Sequence, residues 1–237
     1  GRYPGMFEKE ARGLKLLRQP DVISVPDVLL ATESGEHAFL LLEYVDSARE
    51  AGDFWDDFGK NLAALHAVKS VRFGLDHDNY MGSLYQHNNL HDDWTEFFIL
   101  ERLERQVKLA REEGNLWRSD VTGFERLYRR LDEIFPPTEP SLVHGDLWSG
   151  NFMTDASGRA CLIDPAVYFG HPEIDIAMSK LFGGFSGRFY EAYTQHKPLE
   201  KGWRDRLDIY NLYPLMVHVN LFGGGYLSSV QRVLRKF

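Results

Sequence analysis

The segment from His144 to Asn151 carries the residue types with the clearest chemical meaning in this 237-residue chain. It places His144, Asp146 and Asn151 in the spacing H-x-D-x-x-x-x-N. Phosphoryl transfer needs a carboxylate that orients the attacking hydroxyl and accepts its proton, and a neutral oxygen ligand that helps to hold Mg²⁺ on the phosphates. Asp146 suits the first task and Asn151 the second, so the segment predicts phosphoryl-transfer chemistry.

A second carboxylate is needed as the main Mg²⁺ ligand, and Asp164 is the candidate. It follows the apolar run that ends at Ile163, where the chain leaves a predicted hairpin of strands 151–154 and 159–163. That hairpin would return Asp164 to the side of Asn151. For His144 the pattern favours a packed residue that braces the loop over a catalytic base. The structural alternative for Asp146 is a helix N-cap.

The elements that must position these residues divide the chain into two unequal parts. Residues 6–18 have the apolar spacing of a helix, and two apolar runs at 28–31 and 38–44 predict a β-hairpin. After Val45 the composition becomes polar, and no further strand is predicted for about a hundred residues. A small strand-containing part therefore precedes a large helical one, with a boundary near Val45 where a ligand cleft is expected.

The large part is predicted to be helical around the two short strands. Amphipathic patterns predict helices over 54–66, 94–113 and 124–134. The glycine clusters 183–184 and 223–225 follow no strand, so they are interpreted as helix ends and close helix contacts and not as phosphate loops. Cys161 lies in an apolar strand and is expected to be buried.

Composition excludes several classes of protein. A net charge of −8 argues against a nucleic-acid partner, which needs a basic face. No apolar stretch approaches the ~20 residues of a membrane-spanning helix. The first residues have no apolar signal segment, and a single cysteine gives no disulfide framework, so a cytoplasmic location is expected.

The sequence resembles the fructosamine kinase (ketosamine-3-kinase) family of protein-kinase-like small-molecule phosphotransferases. The matching segments cover nearly the whole chain and are residues 80–83, Gln86, Asn88, Trp94, 144–151, 163–166, 168–173, 181–185 and 221–226. Trp148 within the loop and the paired glycine clusters separate this family from aminoglycoside and choline kinases. The resemblance implies an α+β, two-lobed protein-kinase-like fold, with a partial nucleotide-binding lobe and hinge at 1–45 and a helical catalytic lobe at 46–237.

The resemblance also implies roles for residues around the nucleotide. Asp146 would be the catalytic base, and Asn151 and Asp164 would bind Mg²⁺. Glu10 would be the helix glutamate that pairs with a phosphate-binding lysine. Residues 43–45, Glu43, Tyr44 and Val45, would be the hinge that hydrogen-bonds the adenine of ATP.

The remaining roles concern the loop and the acceptor. Asp175 matches the position that braces the catalytic loop, together with His144. Trp148, Gln86 and Asn88 are candidates for substrate contact, because neutral polar side chains between residues 74 and 93 could reach the cleft and bind sugar hydroxyls. A solvated connector is the equally weighted alternative for that segment.

One feature departs from the family pattern. The glycine-rich loop and phosphate-binding lysine that the family places before the first helix have no counterpart here, because Lys9 and Lys15 lie on that helix. Truncation or disorder of the first strands is the expected explanation. A naturally impaired kinase or a non-catalytic nucleotide-binding module is the alternative.

The expected activity is ATP- and Mg²⁺-dependent phosphorylation of a sugar hydroxyl on a free or protein-bound ketosamine. The alternatives are a kinase of an aminoglycoside or amino alcohol, a nucleotide-binding module, and a metal-dependent hydrolase that would use His144, Asp146 and Asp164 as ligands. No membrane partner is expected, and the oligomeric state stays open.

Overall fold

The small N-terminal part consists of one helix packed on a two-stranded antiparallel sheet. The computed structural model describes residues 3–35 and 37–237. Helix α1 spans Met6–Arg18 and buries Ala11, Leu14 and Leu17 along one face. Strands β1 (Val28–Ser34) and β2 (His37–Leu42) pair from Val28↔Leu42 to Ser34↔His37. The predicted helix and hairpin are therefore confirmed.

Four helices and a π-helical turn follow in the middle of the chain. They are α2 (Phe54–Leu65), α3 (Trp94–Phe97), the π-helical turn (Phe98–Leu103), α4 (Glu104–Glu112) and α5 (Arg118–Tyr128). The predicted helix over 94–113 is thus confirmed as one continuous helical segment, which contains a π-helical turn. The prediction over 124–134 was wrong in its bounds, because the Asp120 carboxylate accepts the Trp117 N–H at 2.9 Å and caps α5 earlier. The separate helix α6 spans Leu131–Ile134.

A short hairpin lies where no strand was predicted. Strands β3 (Asn79–Met81) and β4 (Leu84–Gln86) pair antiparallel through a turn in which Gly82 has a φ of 56°. Three-residue strands are too short to show the alternation of apolar and polar residues from which strands are predicted. This hairpin, named the 79–86 hairpin below, packs against α1 on the same side of the molecule as the predicted site.

Two further strand pairs carry the predicted chemistry. Strand β5 (Ser141–Val143) pairs with β8 (Tyr168–Gly170), and β6 (Phe152–Thr154) pairs with β7 (Ala160–Leu162). The second pair confirms the predicted hairpin. Cys161 lies opposite Met153 in it and is buried, as expected.

Helices complete the large lobe. They are α7 (Glu173–Leu181), α8 (Gly187–His196), α9 (Trp203–Tyr210), α10 (Leu212–Phe222) and α11 (Leu227–Leu234). The glycine clusters follow α7 and α10, which confirms them as helix ends. A Cβ atom built on any of these five glycines would meet no atom within 4 Å, so the expectation of close helix contacts at them was wrong. Among the described residues, no helix is long and apolar enough to cross a membrane.

Candidate active site

The catalytic loop leaves strand β5 through a turn that only glycine accommodates. Gly145 has a φ of 85°, and a Cβ atom built on it would lie 2.1 Å from the carbonyl oxygen of Ala166. The same neighbouring segment is held from the other side, because the Ala166 N–H donates to the carbonyl of His144 at 2.9 Å. The loop and the chain after Asp164 are thus in direct backbone contact.

Asp146 and Asn151 are joined at the centre of the site. The Asn151 Nδ2 atom donates to the Asp146 carboxylate at 2.9 Å, to the Asp146 carbonyl at 2.8 Å and to the Asp164 carbonyl at 3.3 Å. Burial, followed by the charge of Asp164, raises the pKa of Asp146 to about 7, although the Asn151 hydrogen bond opposes the shift. A carboxylate with this pKa exchanges protons near neutral pH.

Asp164 stands beside Asn151, as the predicted hairpin required. The Ile163 N–H donates to the Asn151 carbonyl at 3.1 Å, which closes the hairpin just before Asp164. Asp164 is exposed and has a φ of 51°, a left-handed conformation that is uncommon for a residue other than glycine. Among residues 3–35 and 37–237, none donates a hydrogen bond to its carboxylate, which leaves that group available to a ligand.

His144 is buried with both ring nitrogens engaged. Its Nε2 atom lies 3.0 Å from the carbonyl of Ile163, and its Nδ1 atom accepts the Asp146 N–H at 3.3 Å. Nε2 therefore carries the proton that is donated to Ile163. Burial lowers the pKa of the ring, so it is neutral at pH 7. This geometry braces the loop and leaves neither nitrogen free to bind a metal ion.

Asp175 fixes the first residues of the loop through hydrogen bonds to their backbone. Its carboxylate accepts the backbone N–H groups of His144 at 2.8 Å and Gly145 at 2.9 Å. The imidazole of His66, at the end of α2, donates to the same carboxylate at 3.0 Å and contacts the Tyr193 hydroxyl at 2.8 Å through its other nitrogen. His66 was missed by the sequence analysis, because a single histidine at a helix end carries no signal of this contact.

Glu10 faces Asp164 from helix α1. It lines a cleft of about 260 Å³ together with Tyr80, Gly82 and Asp164. Burial, followed by the charge of Asp164, raises the pKa of Glu10 to about 7. Among the described residues no lysine or arginine lies within ion-pair distance of Glu10, so its carboxylate is available for a cation.

The predicted hinge, residues 43–45, follows strand β2 directly. The Glu43 N–H donates to the Asp27 carbonyl at 2.8 Å, and the Glu43 carboxylate accepts the Asp27 N–H at 3.1 Å. Tyr44 is 84% exposed. Within the described part of the chain, the backbone N–H of Val45 has no hydrogen-bond partner, so this hinge donor is available to a ligand.

A second cleft, of about 390 Å³, shares Gly82 and Asp164 with the first. Asp146, Asn151 and Asp164 form its polar end. The rest of its wall is mainly aromatic and apolar, and its aromatic residues are Trp148, Phe182, His218, Phe222 and Tyr226. Trp148 meets Phe182 edge to face at a centroid distance of 6.0 Å. Of the wall residues on α10 and after it, Leu221, Phe222 and Tyr226 fell within a segment singled out from the sequence, and Val217 and His218 did not.

Gln86 and Asn88 do not lie in this cleft. They are 2% and 1% exposed. Both polar atoms of the Gln86 amide are hydrogen-bonded: Nε2 donates to Asn79 and Ala166, and Oε1 accepts from the Tyr213 hydroxyl. The burial of these two side chains disagrees with the expectation that they contact the substrate. The segment rich in Asn and Gly forms a folded hairpin, and its amide side chains are packed beneath it.

Comparison with known proteins identifies the family of this chain. The family model described as fructosamine kinase matches residues 2–237. A protein of Enterococcus faecium named "Probable ketoamine kinase" is 44% identical, over 98% of this chain and 83% of its own. A chloroplastic protein-ribulosamine 3-kinase of Arabidopsis thaliana is 36% identical, over 98% of this chain and 72% of its own.

Solved structures extend the comparison to the fold. A proposed fructosamine-3-kinase of Thermobifida fusca superposes with a TM-score of 0.88 at 35% identity, over 98% of this chain and 80% of its own. An aminoglycoside phosphotransferase superposes with a TM-score of 0.63 at 15% identity, over 98% of this chain and 83% of its own, which shows the protein-kinase-like fold alone. The chain therefore belongs to the fructosamine kinase family of phosphotransferases.

Proposed function

We propose that this protein transfers the γ-phosphoryl group of ATP, with Mg²⁺, to a sugar hydroxyl of a ketosamine. The observation that carries the proposal is the position of Asp164, which lines both clefts: one reaches Glu10 and the other reaches Asp146 and the aromatic wall. A phosphoryl group that passes between a nucleotide and an acceptor must cross such a junction. The names of the relatives support the ketosamine as acceptor class.

Asp146 is the residue proposed to orient and deprotonate the acceptor hydroxyl. It lies at the inner end of the second cleft, and Asn151 holds its carboxylate through a hydrogen bond of 2.9 Å. A pKa of about 7 keeps a substantial fraction unprotonated at neutral pH while leaving the group basic enough to accept a proton. His144 and Asp175 hold the backbone on which this carboxylate is presented.

Asn151 and Asp164 are the proposed ligands of Mg²⁺. The Asp164 carboxylate is exposed and without a described donor, and the Asn151 amide nitrogen is used by Asp146, which leaves its oxygen as the ligating atom. Mg²⁺ keeps several waters and needs only one or two protein oxygen ligands beside the phosphates, so the residues present fit this ion. When bound, it would neutralise negative charge on the phosphates.

The nucleotide is proposed to lie between the hinge and Glu10. The free N–H of Val45 and the adjoining residues Glu43 and Tyr44 would meet the adenine, next to the apolar strand β2. Glu10 would pair with a cation at the phosphate end, because a half-buried carboxylate beside Asp164 is stabilised by a positive charge. We also propose that the boundary between the two lobes lies near Val45 and that the protein is cytoplasmic.

The wall of the second cleft favours a ketosamine over a polycationic acceptor. Aromatic faces suit the C–H faces of a sugar and apolar parts of an attached amine. Among the described residues, the acidic side chains that line this cleft are Asp146 and Asp164, which the proposed reaction already uses. A binding site for several ammonium groups would need further carboxylates. Trp148 is accordingly proposed as a substrate contact.

The test compares the wild-type protein with Asp146→Asn, using ATP, Mg²⁺ and a fructosamine, with ADP release and ³¹P NMR of the product as measurements. General-base catalysis contributes on the order of 10²–10⁴-fold, so a loss of that size in kcat is expected. Asp205→Asn, at an exposed aspartate on α9, is the matched control and keeps the wild-type rate. A near-normal rate in Asp146→Asn would remove Asp146 as the base. A phosphorylated aminoglycoside with no ketosamine product would replace the proposed acceptor.

A further inference from the structure

We propose that three buried amides under the 79–86 hairpin position the magnesium ligand Asp164. They are Asn79, Gln86 and Asn88, called the amide cluster here. The inference rests on the proposed function, because it assigns a purpose to Asp164 in binding Mg²⁺ with the nucleotide. Asn79 also lines the cleft that contains Glu10, whereas Gln86 and Asn88 line neither cleft. The cluster acts through the backbone that follows Asp164.

The amide cluster binds two consecutive carbonyl groups just beyond Asp164. Gln86 Nε2 donates to the carbonyl of Ala166 at 3.0 Å, and Asn79 Nδ2 donates to the carbonyl of Val167 at 2.9 Å. Since the Ala166 N–H donates to His144, the peptide groups on both sides of Ala166 are held. The chain two residues after Asp164 is therefore fixed between the catalytic loop and the hairpin.

The orientation of each amide follows from partners that can only donate or only accept a hydrogen bond. Arg102 has no acceptor atom, so its contact of 2.7 Å identifies the Asn88 side-chain oxygen. The Asn88 Nδ2 atom then donates to Asn79 Oδ1 at 2.9 Å, which turns Asn79 Nδ2 towards Val167. The Ala166 carbonyl only accepts, so its contact of 3.0 Å identifies Gln86 Nε2, and Gln86 Oε1 then accepts from the Tyr213 hydroxyl at 2.8 Å.

The conformation of Asp164 explains why such a support is needed. A non-glycine residue with a φ of 51° is in a strained conformation, which persists only where the surrounding structure holds it. Asn151 holds the Asp164 carbonyl at 3.3 Å on one side. The amide cluster binds the backbone on the other side, at Ala166 and Val167, and so keeps the Asp164 carboxylate at the junction of the two clefts.

The test measures binding of ADP to the full chain by calorimetry over a range of Mg²⁺ concentrations. Gln86→Met keeps the volume of the side chain and removes both of its donor contacts. Loss of a residue that supports a metal ligand costs about 10–100-fold in metal affinity, so we expect a weakening of that order in the apparent Mg²⁺ affinity. Tyr213→Phe removes only the hydroxyl that donates to Gln86 Oε1, and it should shift the same affinity less, in the same direction.

Gln231→Met is the matched control. Gln231 also donates an amide hydrogen bond, to Asp120 at 2.9 Å, but it lines neither cleft. A purely structural role for Gln86 would lower the melting temperature of the two glutamine variants alike and leave the Mg²⁺ affinity of both at the wild-type value.

The outcomes separate the two proposals. A lower Mg²⁺ affinity in Gln86→Met and Tyr213→Phe, with Gln231→Met unchanged, supports the inference. Wild-type affinity in folded Gln86→Met overturns the inference alone. If Gln86→Met does not fold, Tyr213→Phe decides by the same criterion. A wild-type protein that binds no nucleotide with Mg²⁺ overturns the proposed function and this inference with it.

Discussion

The Oδ2 atom of Asp175 lies 3.0 Å from the Nε2 atom of His66, and both side chains are fully buried. Burial alone would raise the pKa of Asp175, but the hydrogen bond from His66 and the backbone donor Gly145 outweigh it and hold the pKa below its ordinary value. The carboxylate therefore stays ionised and accepts two N–H groups of the catalytic loop. Helix α2 is in this way connected to the residues that present Asp146.

Replacing His66 with phenylalanine should impair catalysis without touching the substrate. The Asp175 carboxylate would lose one of three donors, and a buried charged group with fewer partners costs about 1–3 kcal/mol in the free energy of unfolding. Displacement of the loop should lower kcat, since a misplacement of about 1 Å can cost on the order of 10²-fold. Steady-state kinetics and thermal melts give both quantities. Tyr193→Phe removes only the outer hydrogen bond of His66, so it should retain most of the activity.

The pH dependence of the reaction should report Asp146. Because burial and the charge of Asp164 raise its pKa to about 7, the free enzyme holds the proton below that pH and cannot accept another. We expect kcat/KM to rise about tenfold per pH unit below neutrality and to level off above it. A profile that is flat from pH 5.5 to 8 would contradict the assignment of Asp146 as the base.

Stability should depend on pH in the opposite sense. An acid whose pKa is raised in the folded protein binds more protons folded than unfolded, so its contribution to stability is present at pH 4 and is lost as the pH rises through about 7. Asp146→Asn removes the ionisable carboxyl group and with it this loss of stability at high pH. The variant should therefore melt above the wild type at pH 8, and the difference should shrink towards pH 5, which differential scanning calorimetry measures.

Gly145→Ala should disrupt the catalytic loop through a steric clash. The added Cβ would lie 2.1 Å from the Ala166 carbonyl oxygen, which no rotation of a side chain relieves. Gly184 has a similar φ, 77°, with open space around it, so Gly184→Ala carries the backbone cost of about 1 kcal/mol without the clash. Activity and melting temperature should fall far more in Gly145→Ala. Equal losses in the two variants would show that the contact with Ala166 has no role.

Trp148→Ala should weaken binding of the acceptor and leave the nucleotide unaffected. Trp148 is 36% exposed on the wall of the second cleft, and the cleft that contains Glu10 does not include it. Loss of the aromatic face should raise KM for the ketosamine by about tenfold, as a contact worth about 1.4 kcal/mol would. Trp117→Ala, at an exposed tryptophan outside both clefts, should leave both KM values unchanged. An unchanged ketosamine KM in Trp148→Ala would remove Trp148 from the acceptor site.

The sequence was most informative where function is encoded by local spacing. The loop from His144 to Asn151 and the hairpin that returns Asp164 are close along the chain, so motif and turn signals were enough to place them side by side. The same holds for α1 and the β1–β2 hairpin, whose apolar patterns are regular. Family resemblance then supplied the lobes and the position of Asp175.

Contacts between distant parts of the chain were not predictable. His66 reaches Asp175 across more than a hundred residues, and nothing in its neighbours indicates this. Gln86 and Asn88 were misjudged for a related reason, because polar residues in a segment rich in Asn and Gly have the composition of a solvated loop. Their burial depends on Arg102 and Tyr213, which lie on helices elsewhere in the sequence.

The hydrogen bonds at the β6–β7 hairpin also limit how the two lobes can move. The Leu162 N–H donates to the Ser24 carbonyl at 2.8 Å, so the chain between α1 and β1 is bound to the large lobe. The returning chain is bound as well, since the Ala51 N–H donates to Gly158 at 3.1 Å. Movement of the β1–β2 hairpin relative to the large lobe is thereby confined to the segments between Ser24 and β1 and between β2 and Ala51. A nucleotide that contacts strand β2 and Asp164 would then need little movement of these two parts relative to one another, and its association rate should not be limited by slow closure of this hairpin.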